Sequence, residues 1–306
     1  MRPAASIILF TTLAGTAQGV LACIVLAVLA GAAVSPSLAL TAVGGAELLL
    51  ALSLLASFFH LGQKMRAWRA ALMWRTSWMS REVIVLPALM AATAAWWVLL
   101  SSGNPSPACA ILVLVLAIAL WYCTAMIYAC LRFVQEWAHP LTIVNYTLLG
   151  LSSGLFATGA LAVTLGEGAF AQALLPWTAV VTVLAAVTRG WSLVRNAGLK
   201  PRSTLQSATG MHASRLEQKS MGFTGGSFNT REFFHGATAQ ALRHIKLGFL
   251  LLVFVLPLLL LGVASQGIAA AWLLAAPLQY LGLLAERWFF FAQANHPQNL
   301  YYQTVS

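Results

Sequence analysis

Two ionisable residues face each other across one polar connection of this chain. His60 closes a long apolar run, and Glu82 opens the next one. An imidazole exchanges protons near neutral pH, and a carboxylate beside it can orient the ring or relay the proton. At the edge of an apolar medium, that pair suits the reduction of a quinone, which takes up two electrons and two protons. The same residues also suit a plainer role, hydrogen bonding to lipid headgroups or to nearby arginines. Ionisable groups at a membrane edge carry functional roles often enough to keep both readings.

Other residues with chemical potential are weaker. Glu47 lies inside an apolar run, thirteen positions before His60, or about 20 Å along a helix. It is expected to face other helices, where a buried acid must be neutral or paired. Glu286-Arg287 are adjacent near the end of the last apolar run and could pair with each other or with a neighbouring helix. Gly150-Leu151-Ser152-Ser153-Gly154 matches the G-x-S-x-G pattern by letter. A nucleophile elbow needs a strand–turn–helix setting that is missing here, so small residues for helix packing are the better account. His244 is the one loose candidate for a base.

Cys23, Cys109, Cys123 and Cys130 fall in apolar segments without a C-x-x-C pair, which argues against a zinc or iron–sulfur site and for small buried side chains. None of the six histidines falls near the centre of an apolar run, so a bis-histidine haem is disfavoured.

These residues must be positioned by helices that cross a membrane. The 306 residues are 60% hydrophobic and 8% charged, against about 25% charged in soluble domains. Mean hydropathy is +0.83. Eight windows have the length and apolarity of a span: about 6–33, 38–59, 83–101, 108–131, 142–165, 172–194, 246–265 and 268–291. The expectation is therefore an all-α, polytopic membrane domain over 1–306, a bundle of about eight transmembrane helices. The first run is too long for a signal-peptide core.

Charge sets the orientation. Of the 17 Lys and Arg, five lie between His60 and Glu82: Lys64, Arg66, Arg69, Arg75 and Arg81. Arg132 follows the fourth window, nine lie from Arg189 to Lys246, and Arg2 and Arg287 flank the two ends. With eight spans all of them share one side, which the positive-inside rule places in the cytoplasm together with both termini. The net charge of +10 thus reflects topology, and no nucleic-acid partner is expected. The connection 61–81 reads as an interfacial helix with Met65, Trp68 and Leu72 on one face. The connection 196–244 is a long polar loop, the kind that is functional or disordered. A transporter should show broken helices and midplane polar clusters, and neither is visible in the sequence.

The run His60-Leu61-Gly62-x-x-Met65-Arg66-Ala67, followed by Ser80-Arg81-Glu82, resembles the membrane anchor subunit of the dimethyl sulfoxide reductase family. Three further strings look like the anchor of its cytoplasmic sulfite dehydrogenase branch. They are Trp74-Arg75-Thr76-Ser77-Trp78-x-Ser80-Arg81-Glu82, Gly225 to Phe234 (Gly-Gly-Ser-Phe-Asn-Thr-Arg-Glu-Phe-Phe), and Ala285-Glu286-Arg287-Trp288-x-Phe290. The resemblance implies a three-subunit complex in a bacterial cytoplasmic membrane. A molybdopterin subunit would do the substrate chemistry, and an iron–sulfur subunit with four [4Fe–4S] clusters would carry the electrons. This chain would exchange them with ubiquinone or menaquinone, without haem and without substrate chemistry of its own. His60 and Glu82 would serve the quinone, with Arg66 beside them. Arg75, Arg81, Arg231 and Glu232 would contact the partner or membrane lipid. Because His60 and the long loop share the charged side, the catalytic module is expected in the cytoplasm, as in sulfite oxidation. The alternatives are a quinol-oxidising anchor of a dimethyl sulfoxide or N-oxide reductase, and a transporter.

Overall fold

A computed structural model describes residues 1–59, 62–217, 219 and 234–297. Among them are nine α-helices and no strand. The long helices are α1 (Ala5–Leu29), α2 (Pro36–Phe58), α3 (Trp78–Ser101), α4 (Pro107–Ala129), α5 (Pro140–Thr164), α6 (Gly168–Ala197), α8 (Ala239–Ser265) and α9 (Ala270–Ala292). A short α7 (Leu205–Thr209) lies in the long connection. Seven of these helices, α1 to α6 and α8, are long and apolar enough to cross a membrane. The eighth, α9, has 23 residues, or about 35 Å, but carries Gln279, Glu286 and Arg287 among its buried residues. Those side chains lower its hydropathy while its packing keeps it in the bundle.

The helices start where the chain supplies caps. Ser35 and Thr238 side chains accept from Leu38 N–H and Ala241 N–H at 3.2 Å each, and Pro36, Pro107 and Pro140 occupy first-turn positions. A first-turn proline loses no hydrogen bond, because that N–H has no intrahelical partner. The connection after α2 forms a 3-10 helix over Lys64–Met73. Met65, Trp68 and Leu72 are exposed on it.

Helices α1 and α5 form the central contact. An added Cβ on Gly154 would lie 2.1 Å from the Gly19 carbonyl carbon, and one on Gly19 would lie 2.2 Å from the Gly150 carbonyl oxygen. Only glycine allows this approach, so the Gly150–Gly154 segment is a helix-packing surface. The N-terminus meets the segment just after α9 at one end of the bundle. The Met1 amino group lies 2.8 Å from the Ala294 carbonyl, Trp137 Nε1 donates to Phe290 O at 3.0 Å, and Arg195 Nη2 donates to Gln135 O at 3.1 Å.

Two of the positions counted as flanking charges are inside the bundle. Helix α6 runs through Arg189 to Ala197, and α9 runs through Arg287 to Ala292. Arg189 is 1% exposed and Arg287 3%. The bundle also has a polar midplane that the hydropathy pattern conceals. Thr16 and Ser153 hydroxyls lie 2.9 Å apart, Ser152 and Thr182 hydroxyls lie 2.8 Å apart, and Gln279 Nε2 reaches Ser152 at 3.4 Å. Each sits near the middle of its helix. Single hydroxyls in apolar runs barely lower hydropathy, so nothing in the linear pattern marks Thr16, Ser152, Ser153 or Thr182.

Candidate functional site

Buried ionisable groups gather one to two turns inside the end that carries the Lys and Arg residues. Glu82 stands on the second turn of α3 and is 7% exposed. It turns toward α4, where the Thr124 hydroxyl donates to its Oε1 in a short hydrogen bond. An unpaired carboxyl group in this setting would carry a large desolvation penalty, and the Thr124 bond offsets part of it. Exposed apolar and aromatic side chains flank the position: Met79, Val83 and Ile84 on α3, and Tyr122 on α4, whose ring packs edge-on against Trp78 at 5.3 Å. A carboxyl group that is buried yet bordered by exposed apolar surface can meet a hydrophobic molecule arriving through the membrane.

A second group lies at similar depth on α5, α6 and α9. Glu286 takes Arg189 Nε at 2.7 Å on one oxygen and Arg287 Nε at 2.7 Å on the other. Arg287 also lies over the Tyr146 ring, 4.0 Å from its centroid, a cation–π contact strengthened by burial. Glu286 therefore pairs both with its neighbour and with another helix. Sequence alone leaves these two options open, and it places Arg189 among the loop charges. The available signal is that Arg189 falls within the apolar window 172–194, where a cation requires a partner.

The remaining expected residues are placed as follows. His60, Arg231 and Glu232 lie outside the described residues. Arg66 and Arg75 are exposed. Arg81 folds back on its own connection: Nε donates to Trp74 O and Nη2 to Arg75 O, both at 2.9 Å, and its guanidinium lies 4.0 Å from the Trp78 ring centroid. It thus holds the turn into α3, and the next residue along, Glu82, projects inward. Glu47 is half-buried, and its Oε2 is enclosed without a hydrogen-bond partner among the described residues. His244 is exposed on α8, while Ser152 and Ser153 bond to Thr182, Thr16 and Gly150. No base stands beside either serine among those partners.

Two histidines outside the spans have lowered pKa values. His139 precedes α5, and its Nδ1 accepts from Leu141 N–H at 3.2 Å. Burial lowers its pKa, with Arg195 adding to the effect. Burial likewise lowers the pKa of His235, whose Nδ1 accepts from Ala237 N–H at 3.0 Å.

Comparison with known proteins agrees with this architecture. The family model described as DMSO reductase anchor subunit (DmsC) matches residues 1–288. Among the subunits of sulfite dehydrogenase from Allochromatium vinosum, the one designated C is 44% identical to this chain, over 326 aligned positions that cover all of both proteins. A multi-pass helical bundle matched along nearly its whole length by that family belongs to the DMSO reductase membrane anchor subunits.

Proposed function

We propose that this chain carries electrons between an iron–sulfur partner subunit and membrane quinone, in a complex whose molybdopterin subunit oxidises sulfite. The observation that carries the quinone reading is Glu82, a carboxyl group buried against Thr124 and bordered by exposed apolar surface. Such a place fits a ligand with a polar ring and a long apolar tail. Glu82 would relay protons or orient His60, and His60 would hydrogen-bond a carbonyl oxygen of the quinone and help supply a proton. Arg66 is exposed on the connection between them and would stand near the ring. Arg75, Arg231 and Glu232 would meet the partner or lipid phosphate.

The full-length likeness to a sulfite dehydrogenase subunit supports sulfite as the electron source. The positive-inside rule supports a cytoplasmic position for the charged end, both termini and the partner subunits, in a bacterial cytoplasmic membrane. The second reading reverses the flow, with quinol reducing a sulfoxide or N-oxide. The description of the matched family favours it.

Purification of the tagged chain from its native membrane in mild detergent tests both. The expected preparation contains a molybdenum subunit and an iron-rich subunit, and reduces quinone when sulfite is added. Substrate-dependent quinol oxidation without sulfite activity would select the second reading. A lone chain free of both metals would overturn the anchor role. His60→Ala should abolish quinone coupling and leave dye-linked sulfite oxidation intact; undiminished coupling would remove His60 from the site.

A further inference from the structure

A small cavity lies between α1, α4, α5 and α9. Thr11, Thr12, Gln18, Trp121, Thr124 and Arg287 are among its walls, with Gly150 beside them. Two of these side chains can only donate, and both are more than nine-tenths buried: Trp121 is 5% exposed and Arg287 3%. Trp121 Nε1 and Arg287 Nη1 are each fully enclosed without a hydrogen-bond partner among the described residues. Buried donors left unpaired carry a penalty of about 1–3 kcal/mol each, so these two, with the Tyr146 hydroxyl on the same wall, also unpartnered among the described residues, point to something that fills the cavity.

Size and chemistry together define the occupant. The free volume is about 20 Å³, and one water needs roughly 10–15 Å³ on that measure. A quinone ring is far too large. The indole and guanidinium groups only donate, while a water accepts two hydrogen bonds and donates two. Gly150 helps keep the space open: a Cβ there would lie 2.6 Å from Trp121 Nε1.

We infer that this cavity binds one structural water, which accepts from Trp121 and Arg287, donates to Thr124, and thereby positions Glu82. Trp121 and Thr124 are three residues apart on α4, one turn of one face. Thr124 uses its own hydrogen on Glu82, so its oxygen is free to accept the water's. Every bond then runs in one direction, from donor-only groups to the carboxyl group. Each bond in such a chain polarises the next. Trp121 and Arg287 act through the water and are positioning residues. This role rests on the proposed quinone reading, but the water site does not.

The test begins with a high-resolution electron cryomicroscopy map of the whole complex. Ordered density for one water within hydrogen-bond distance of Trp121 Nε1, Arg287 and Thr124 is expected, and an empty cavity would overturn the site. Trp121→Phe should remove that density and shift the infrared carboxyl band assigned to Glu82 by its loss in Glu82→Gln. Thr124→Val should shift the same band, and Thr124→Ser should restore it. Unshifted bands in both Trp121→Phe and Thr124→Val would overturn the link to Glu82. With sulfite and quinone, Trp121→Phe should lower kcat about tenfold at unchanged KM, leaving dye-linked activity intact. An unchanged kcat would overturn the positioning role. A wild-type complex that holds the water but reduces no quinone would instead sink the quinone reading alone.

Discussion

Arg189 on α6 and Glu286 on α9 meet at 2.7 Å with both side chains 1% exposed. Arg287 holds the other oxygen of the same carboxylate, so two cations share one anion inside the bundle. Desolvating charges is expensive, and such a group persists only while every member has its counterpart.

Glu286→Gln should therefore be the most damaging change in this group. It leaves Arg189 and Arg287 facing each other without an anion, and removing one partner of a buried pair costs about 3–5 kcal/mol. Arg189→Met should cost less, because Arg287 still pairs with Glu286. Apparent unfolding temperatures in detergent micelles check the ranking, and a stable Glu286→Gln protein would contradict it.

At the proposed quinone site, Glu82→Gln keeps the shape and a hydrogen-bonding oxygen but removes the exchangeable acid. If Glu82 moves protons, quinone turnover should fall by roughly 10²–10⁴-fold, the usual contribution of a positioned acid or base. Dye-linked oxidation by the partner subunits should be unaffected. Turnover near that of the wild type would assign Glu82 a purely structural role.

The α1–α5 contact predicts opposite outcomes for two glycines. Gly154→Ala forces a methyl into the backbone of Gly19 and should destabilise the chain by about 1–3 kcal/mol, as overpacking does. Gly45 on α2 has open space around it, so Gly45→Ala should be neutral or mildly stabilising. Expression level and thermal stability of the two variants, measured side by side, decide the matter.

His139 predicts a pH dependence. Its pKa is lowered in the folded chain, so the unfolded chain binds more protons below the ordinary value of 6.5. Stability from this group is complete above pH 6.5 and is lost as the pH falls through that value toward the lowered one. Protonation of Nδ1 also removes the acceptor that caps α5. His139→Asn, which caps without titrating, should flatten this part of the stability profile between pH 7 and 5. Parallel profiles for the two proteins would exclude His139 as the source.

The helices and their alternation are legible in the sequence because a span announces itself through some twenty consecutive apolar residues. The sidedness of the charges follows from the same count. Glu82 is legible as the acid opening α3, yet its Thr124 partner is not, since a threonine in the apolar window 108–131 carries no mark of its own. The Arg189–Glu286 pair is hidden for a different reason. Arg189 falls inside its apolar window, but it is the first of the nine basic residues that run on into the polar connection, and its partner lies on a helix far along the chain. The midplane hydroxyls and the cavity beside Thr124 arise only when four helices come together, so no single stretch encodes them. Arg231 and Glu232 stand on the resemblance of their sequence strings alone, and His60 on that resemblance together with its place at the edge of an apolar run.

The pairing of α6 with α9 also constrains how the protein is made. Chains emerge from the N-terminus at about 5–20 residues per second, so Arg189 enters the membrane on the order of ten seconds before Glu286 exists. During that interval the sixth helix holds a cation in lipid with its counterpart still unsynthesised. Position near the charged end lets the long side chain reach toward the aqueous edge in the meantime. Arrival of the last helix then locks the bundle, and a ribosome that stops short of α9 releases a product marked by an unneutralised arginine, a ready signal for membrane quality control.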